Sequence, residues 1–560
     1  MRQRQARRPK ERAEDPLAVG SFSGDFSTLF PRERDIPTRI RWEGRLDRPR
    51  ILLDGEIIPW KGRVGEVYSP IFIRQRGGFA KERVGSRPEM TGTEALRALE
   101  SARRAFFPGQ GSWPSSSLSL RAGCVERFLD RLGGLKEEIV RTLVWEIAKP
   151  YGELEDEFER TIEYVEQVIK IAREKDKRSR LLRREKGIMG LIQDEPYGVV
   201  LCLGPYNYPL FETFSLAFPA LLAGNTVVIK PPKFGVLFFD LLLESFRDCF
   251  PRGVVNIISG DGKTIVEPLM KSGGVDVFAF IGSRPTANRL MGLHPRKNRL
   301  RSLLGLGAKN PVIVLPDADL EVAVRECVLG ALAFNGQRCA ALKILFVHEA
   351  VREEFERRLA RQIDDTRIGM PWAEKVRITP LADPARIPYL RGLVEDALAK
   401  GSRVANTNGG KSFHSLFFPT VLHPVHSRMK IHREEQFGPI LPVVSYDKLE
   451  VPVSYIIHSP FGQQLSVFGS GVNPLARLVD ALKGQVARVN INTKCQRGPD
   501  LFPFSGRKDS AKGDFSAPEI MGSFAAKTVI AARENDLSRA LFRSLGRLMA
   551  RETKEDERSL

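Results

Sequence analysis

"YGVVLCLGPYNYPLFETFSLAFPALLAGNTVVIK", residues 197–230, decides the fold class. It opens on a short β-branched and apolar run closed by Gly204, the pattern of a strand buried on both faces. Past the loop "PYNYP", residues 210–223 are expected to form a helix that stops at Gly224. "TVVIK" is the next strand. Further on come a helix in "LFFDLLLESFRD", a strand in "GVVNIIS", a helix around residues 263–272 and a strand in "VDVFAFIGS". Strands alternating with helices over about 90 residues predict βαβ units and a parallel sheet. Such sheets bind ligands beyond the carboxyl ends of their strands. The residues to read are therefore Asn207, then Lys230 and Lys233, then Gly262, then Ser283.

A dinucleotide suits these positions, yet the G-x-G-x-x-G fingerprint is absent. "FIGSRPTA" has one glycine before its helix and Ala287 where another might stand. Alone it is a generic α/β turn. "IKPPK" says more. Two ammonium groups at the mouth of a sheet are either solvated surface lysines or a clamp for a ribose and its 2′-phosphate.

The rest of the composition excludes more than it assigns. With 560 residues, 42% of them hydrophobic, the chain is an ordinary globular one, and roughly two to four domain-sized units are expected. Cys124, Cys202, Cys249, Cys327, Cys339 and Cys495 form no C-x-x-C pair, so free thiols in a reducing compartment, the cytoplasm, are expected. His423 and His426 lack metal-binding neighbours in sequence; "LHPVHS" is read as a surface turn, and no metal site is predicted. The apolar region after Gly198 is interrupted by Pro205, Pro209 and Pro219, too soon for a membrane span. The net charge is +19, but no aromatic and basic residues interleave as a nucleic-acid platform requires, so no nucleic-acid partner is expected. Part of that charge lies in a basic start, "MRQRQARRPKER", read as a disordered arm. At the other end Leu537, Leu541, Leu545 and Leu548 share one helical face, and Arg539, Arg543, Arg547 and Arg551 recur every fourth residue. A helix docked on protein is favoured there over one lying on a membrane surface.

Cys339, in "FNGQRCAAL", is by default a small buried hydrophobe. What changes that reading is a series: "PYNYP", "AGNTVVIKP", "FNGQRCA", "FFPTVL" and "REEQFGPI" across residues 205–440. Together these resemble the motifs of the aldehyde dehydrogenase superfamily. "FERTIEYV", "PWAEKVRITPL" and "QRGPDLFPFSGRKDS" resemble its non-phosphorylating, NADP-dependent glyceraldehyde-3-phosphate dehydrogenase branch. The likeness covers about residues 50–533.

The resemblance implies an α/β fold with a parallel-sheet dinucleotide-binding domain, an α/β catalytic domain and a small β oligomerisation arm. The expected divisions are an arm over 1–49, cofactor domain over 50–304, catalytic domain over 305–507, a return over 508–533 and a basic tail over 534–560. The hairpin over 178–196, turning at Lys186-Gly187, joins "FAAKTVIA" in the oligomerisation arm, implying a homodimer or homotetramer. Cys339 becomes the nucleophile, with Asn207 and the Cys339 N–H as oxyanion donors. Glu435 and Phe437 would hold the nicotinamide ribose and flank its ring. Lys233 favours NADP, with NAD possible. Arg338, Arg497, Arg160 and Tyr208 would grip a substrate phosphate, and the cations would lower the Cys339 pKa. The alternative for Arg497 is a structural ion pair.

One position departs from the family. "GLGAK", residues 305–309, puts Gly305 where most relatives carry the glutamate that activates water for thioester hydrolysis. The expected function is oxidation of glyceraldehyde 3-phosphate to its acid with NADP. The alternatives are a coenzyme A-acylating semialdehyde dehydrogenase and a catalytically impaired binding or scaffold protein.

Overall fold

The computed structural model describes residues 24–545, apart from Glu43, Arg45 and Arg180. Most of the basic start, and Leu548, Arg547 and Arg551 of the tail, lie outside the described residues.

The opening stretch folds as its pattern requires. Val199–Leu203 is a strand with every residue buried, Phe211–Leu222 a fully buried helix, and Thr226–Lys230 the next strand. A Cβ on Gly204 would stand 1.8 Å from the Thr213 hydroxyl, so only glycine lets this helix close onto its strand. The strands Val255–Ile257, Val277–Ile281 and Arg301–Gly305 follow. "LFFDLLLESFRD" differs from expectation: it forms two short helices, Phe238–Leu241 and Leu243–Cys249, rather than one.

These five strands are parallel. Across the sheet they run Val255–Ile257, Thr226–Lys230, Val199–Leu203, Val277–Ile281, Arg301–Gly305. Chain order therefore reverses beside Val199–Leu203, and the crevice at that switch point is where such sheets take ligands. A second, seven-stranded sheet contains Asn310–Val314, Leu342–His348, Ile440–Tyr446, Gln464–Phe468 and Arg488–Ile491, all parallel to their neighbours. The chain passes from Gly305 on the first sheet to Asn310 on the second in "GLGAK", so this segment bridges the two sheets.

Ile188–Pro196 pairs antiparallel with Arg183–Glu185 on one side and Ala525–Arg533 on the other. Lys186 and Gly187 make the turn with φ of 49° and 75°, the left-handed pair a tight hairpin demands. Residues 536–545 are helical. Phe542 packs against Met189 and Leu191, while Leu537, Leu541 and Leu545 are exposed on this chain. His423 corrects the surface-turn reading: it ends the Thr420–His423 strand, buried, with Ser445 and Glu356 at its ring nitrogens. None of the described helices is long and apolar enough to cross a membrane.

Candidate functional site

Cys339 stands between the Leu320–Leu332 helix and the Leu342–His348 strand. Phe334, Asn335 and Gly336 before it have φ of 44°, 57° and 69°. A bulky side chain at positive φ is strained, and such strain persists only where surrounding contacts impose it. Here the Phe334 N–H donates to Glu153 at 3.2 Å, and the Thr379 N–H donates to the Asn335 side chain at 2.9 Å.

Asn207 is tied to the same turn. Its side-chain nitrogen donates to the Gln337 carbonyl at 2.8 Å, leaving its second N–H for another acceptor. Two residues that the motifs did not single out complete the frame. Asn310 donates to the Cys339 carbonyl at 2.8 Å and to the Gln463 side chain at 3.2 Å. The signal for Asn310 was present: a polar residue heading the buried run "NPVIV" needs a partner.

The thiol pKa corrects an expectation. Burial pushes the Cys339 thiol up, and the Glu212 carboxylate pushes it further; Gln463 and Arg338 act in the other direction and do not win. The cations do not lower it because their charge is largely spent. Arg497 is buried and ion-paired to Glu212, with Asp500 at 3.6 Å. Arg160 makes a two-pronged pair with Asp500, both contacts 2.8 Å. Arg338 lies 5.7 Å from the Tyr208 ring centre, and no carboxylate pairs with it among the described residues. Tyr208 also carries the Lys149 ammonium 3.3 Å from its ring centre.

Gly305 ends its strand against apolar side chains. A Cβ there would meet Ile281 at 3.1 Å and the Phe515 ring at 3.4 Å. A carboxylate at this place would have to displace them.

At the mouth of the first sheet the side chains fit a dinucleotide. The Ser259 hydroxyl is buried without a hydrogen-bond partner, as a group awaiting a ligand is. Burial pushes the Glu435 carboxyl up, and Lys343, 3.5 Å away, opposes this. Gly307 lets that carboxylate approach; a Cβ would stand 2.6 Å from it. Phe437 sits at φ 45° with the Lys343 ammonium 4.8 Å from its ring centre. Lys230 is held down to about 8 by burial first, then by Arg87. Lys233 is exposed beside Phe234. The space above Gly262 is open, and Ser283 caps the Arg284–Leu293 helix, whose N-terminus suits a phosphate.

A curated relative, the NADP-dependent glyceraldehyde-3-phosphate dehydrogenase of Streptococcus equinus, is 32% identical over 440 residues, covering 77% of this chain and 89% of its own. Lactaldehyde dehydrogenase of Escherichia coli (strain K12) is 30% identical over 442 residues, with 77% and 88% covered. The crystal structure of NADP-dependent glyceraldehyde-3-phosphate dehydrogenase from Bacillus halodurans C-125, complexed with NADP, superposes with a TM-score of 0.78 at 29% identity, covering 87% of this chain and 99% of that one. The pattern of the aldehyde dehydrogenase family matches residues 74–530, and the chain belongs to that family.

Proposed function

We propose that this protein oxidises an aldehyde of the glyceraldehyde 3-phosphate class to its carboxylic acid, with NADP as oxidant and Cys339 as nucleophile. The observation that carries this is the joint framing of the Cys339 turn by Asn207, Asn310 and Gln463. The Cys339 thiolate adds to the aldehyde carbon, forming a thiohemiacetal. Its oxygen takes the free N–H of Asn207 and the Cys339 N–H. Lys230, Lys233, Gly262, Ser283, Glu435 and Phe437 would hold NADP, which when bound would supply the hydride acceptor. Loss of hydride leaves a thioester, which water cleaves to the acid, freeing the thiol. Arg338 and Tyr208, backed by Arg160 and Arg497, face the substrate tail. The arm built on Ile188–Pro196 and Ala525–Arg533 supports a homo-oligomer, since Val529 and Ile188 lie exposed on it. Free thiols support a cytoplasmic setting.

A second reading is favoured by one contact. With Ile281 and Phe515 against Gly305, no carboxylate is poised there to activate water. The thioester would then be drawn off by a thiol acceptor such as coenzyme A. A single-turnover mix of enzyme, NADP and glyceraldehyde 3-phosphate, followed by NADPH absorbance and intact mass, decides between the two. A burst followed by steady turnover supports water as acceptor. A burst that stops, leaving an acyl adduct on Cys339 that coenzyme A discharges, supports the second. No burst and no adduct would overturn both for this aldehyde.

The cofactor clamp carries its own pH test. Lys230 loses its proton as pH rises through about 8, and a 2′-phosphate needs the charged form. NADP affinity should therefore fall several-fold between pH 7 and 9.5, about in line with one lost charge-assisted contact, and NAD affinity should change less. Fluorescence titration of both cofactors at the two pH values measures it, and parallel curves for the two would remove Lys230 from the phosphate clamp.

A further inference from the structure

Glu212 is a carboxylate that the proposed reaction does not use. It lies in the first turn of the Phe211–Leu222 helix, and its N–H donates to the Tyr208 carbonyl at 3.0 Å. It is thus one turn from the tyrosine that faces Arg338, and five residues from Asn207. A carboxylate buried at this depth must be paired, and its partner is the Arg497 guanidinium. Arg497 is enclosed on every other side. Its second terminal nitrogen donates to the Phe515 carbonyl at 3.2 Å, its third nitrogen lies 3.6 Å from Asp500, and the rings of Phe211 and Phe504 stand 4.5 and 5.0 Å from its carbon. The Tyr208 ring in turn lies 5.7 Å from the guanidinium of Arg338, the residue before Cys339, so this carboxylate stands one helical turn from the neighbours of the thiol.

We propose that Glu212 sets the charge that the substrate tail can usefully carry: by holding Arg497 in a closed ion pair it cancels most of the advantage of a phosphate, so that glyceraldehyde 3-phosphate and unphosphorylated glyceraldehyde are oxidised with similar kcat/KM. This rests on the aldehyde-oxidising reading above and deepens it. A phosphate dianion entering beside Glu212 meets a guanidinium already neutralised and a carboxylate that repels it. Arg160 is held in the same way by Asp500. Arg338 remains, with no carboxylate paired to it among the described residues, so the advantage left to a phosphate over the hydroxyls of an uncharged tail is that of a single charge-assisted contact. A buried pair of this kind costs several kcal/mol in desolvation, which only close mutual contact offsets, so a passing substrate does not open it readily.

The test compares wild type with Glu212→Gln, which keeps shape and removes charge. Steady-state kcat/KM is measured for D-glyceraldehyde 3-phosphate and D-glyceraldehyde. The wild-type ratio should lie within about tenfold of one, and the variant ratio should rise at least about tenfold toward the phosphate, the scale of one charge-assisted bidentate contact regained. Inorganic phosphate should also raise the melting temperature of the variant more than that of wild type, because phosphate replaces the lost anion. A wild-type preference for the phosphate beyond about a hundredfold would overturn the proposal without any variant. So would an unchanged ratio in Glu212→Gln, or an equal phosphate effect on both melting temperatures. If the variant keeps the NADPH burst with both aldehydes but loses steady turnover, Glu212 acts on the thioester as a base and the charge-setting role fails. If wild type oxidises neither aldehyde, the aldehyde reading fails, and the melting-temperature comparison still reports on Glu212 and Arg497.

Discussion

Cys339→Ser should abolish the acyl adduct and cut NADPH formation by at least about a thousandfold, the usual consequence of removing a covalent nucleophile. A hydroxyl in this turn has no base beside it: Gln463, Asn310 and Asn207 are amides, and Gly305 offers no side chain. The same variant identifies the reactive thiol by labelling. Burial pushes the thiols of Cys202, Cys327 and Cys495 up strongly, the last to about 12. Cys124 and Cys249 are also buried and raised. Iodoacetamide under native conditions should therefore add one group to wild type and none to Cys339→Ser, read by intact mass. Because the Cys339 thiol is raised rather than lowered, its thiolate fraction is small at neutral pH and grows nearly tenfold per pH unit until the pKa is reached. Labelling should keep accelerating past the ordinary thiol range. A plateau near pH 7 would mean that the cations, not burial and Glu212, control the thiol. One group added to Cys339→Ser would move the reactive centre elsewhere.

What the sequence disclosed, and what it withheld, follows from the range of each interaction. The strands at Val199–Leu203 and Thr226–Lys230 are runs of neighbouring apolar residues, so their pattern is local and readable. The same holds for Lys186-Gly187, where two adjacent residues at positive φ mark the turn. The neighbours of Cys339 do not by themselves suggest a nucleophile; the motif series carries that proposal. Asn310 and Gln463 are 153 positions apart, and Arg497 meets Glu212 across 285. No periodicity brings such pairs together. That is why the arginines read as a free cationic pocket, while in the structure Arg497 and Arg160 are held by carboxylates and the thiol moves up instead of down. In the tail the amphipathic spacing is local and readable too, but which residue packs on the chain's own arm is not: among the described residues it is Phe542, while Leu537, Leu541 and Leu545 are exposed.

Glu157 is the residue whose loss should cost most outside the nucleophile. In sequence it is one more charge in "YGELEDEFER". In the structure it is buried, with Lys149 equally buried at 2.6 Å. Its other oxygen accepts the N–H groups of Leu210 and Phe211, both at 3.1 Å. These are the uncapped amides where the helix after "PYNYP" begins, and they favour a negative charge. Lys149 in turn donates to the Asn207 carbonyl at 3.2 Å. The pair thus fixes the whole segment that carries Asn207, Tyr208 and Glu212. Removing one partner of a buried ion pair strands the other without water. Glu157→Gln should therefore destabilise by about 3–5 kcal/mol and lower activity well beyond any loss of folded protein. Lys149→Met should destabilise comparably. The double variant Lys149→Met/Glu157→Gln should recover part of the loss, because no unpaired charge remains and the amide oxygen can still accept the Leu210 and Phe211 amides. Urea unfolding of the four proteins, with kcat measured on the folded fraction, checks this. Strict additivity of the two single losses would mean that Lys149 and Glu157 act independently, and that Asn207 is placed by its bond to Gln337 alone.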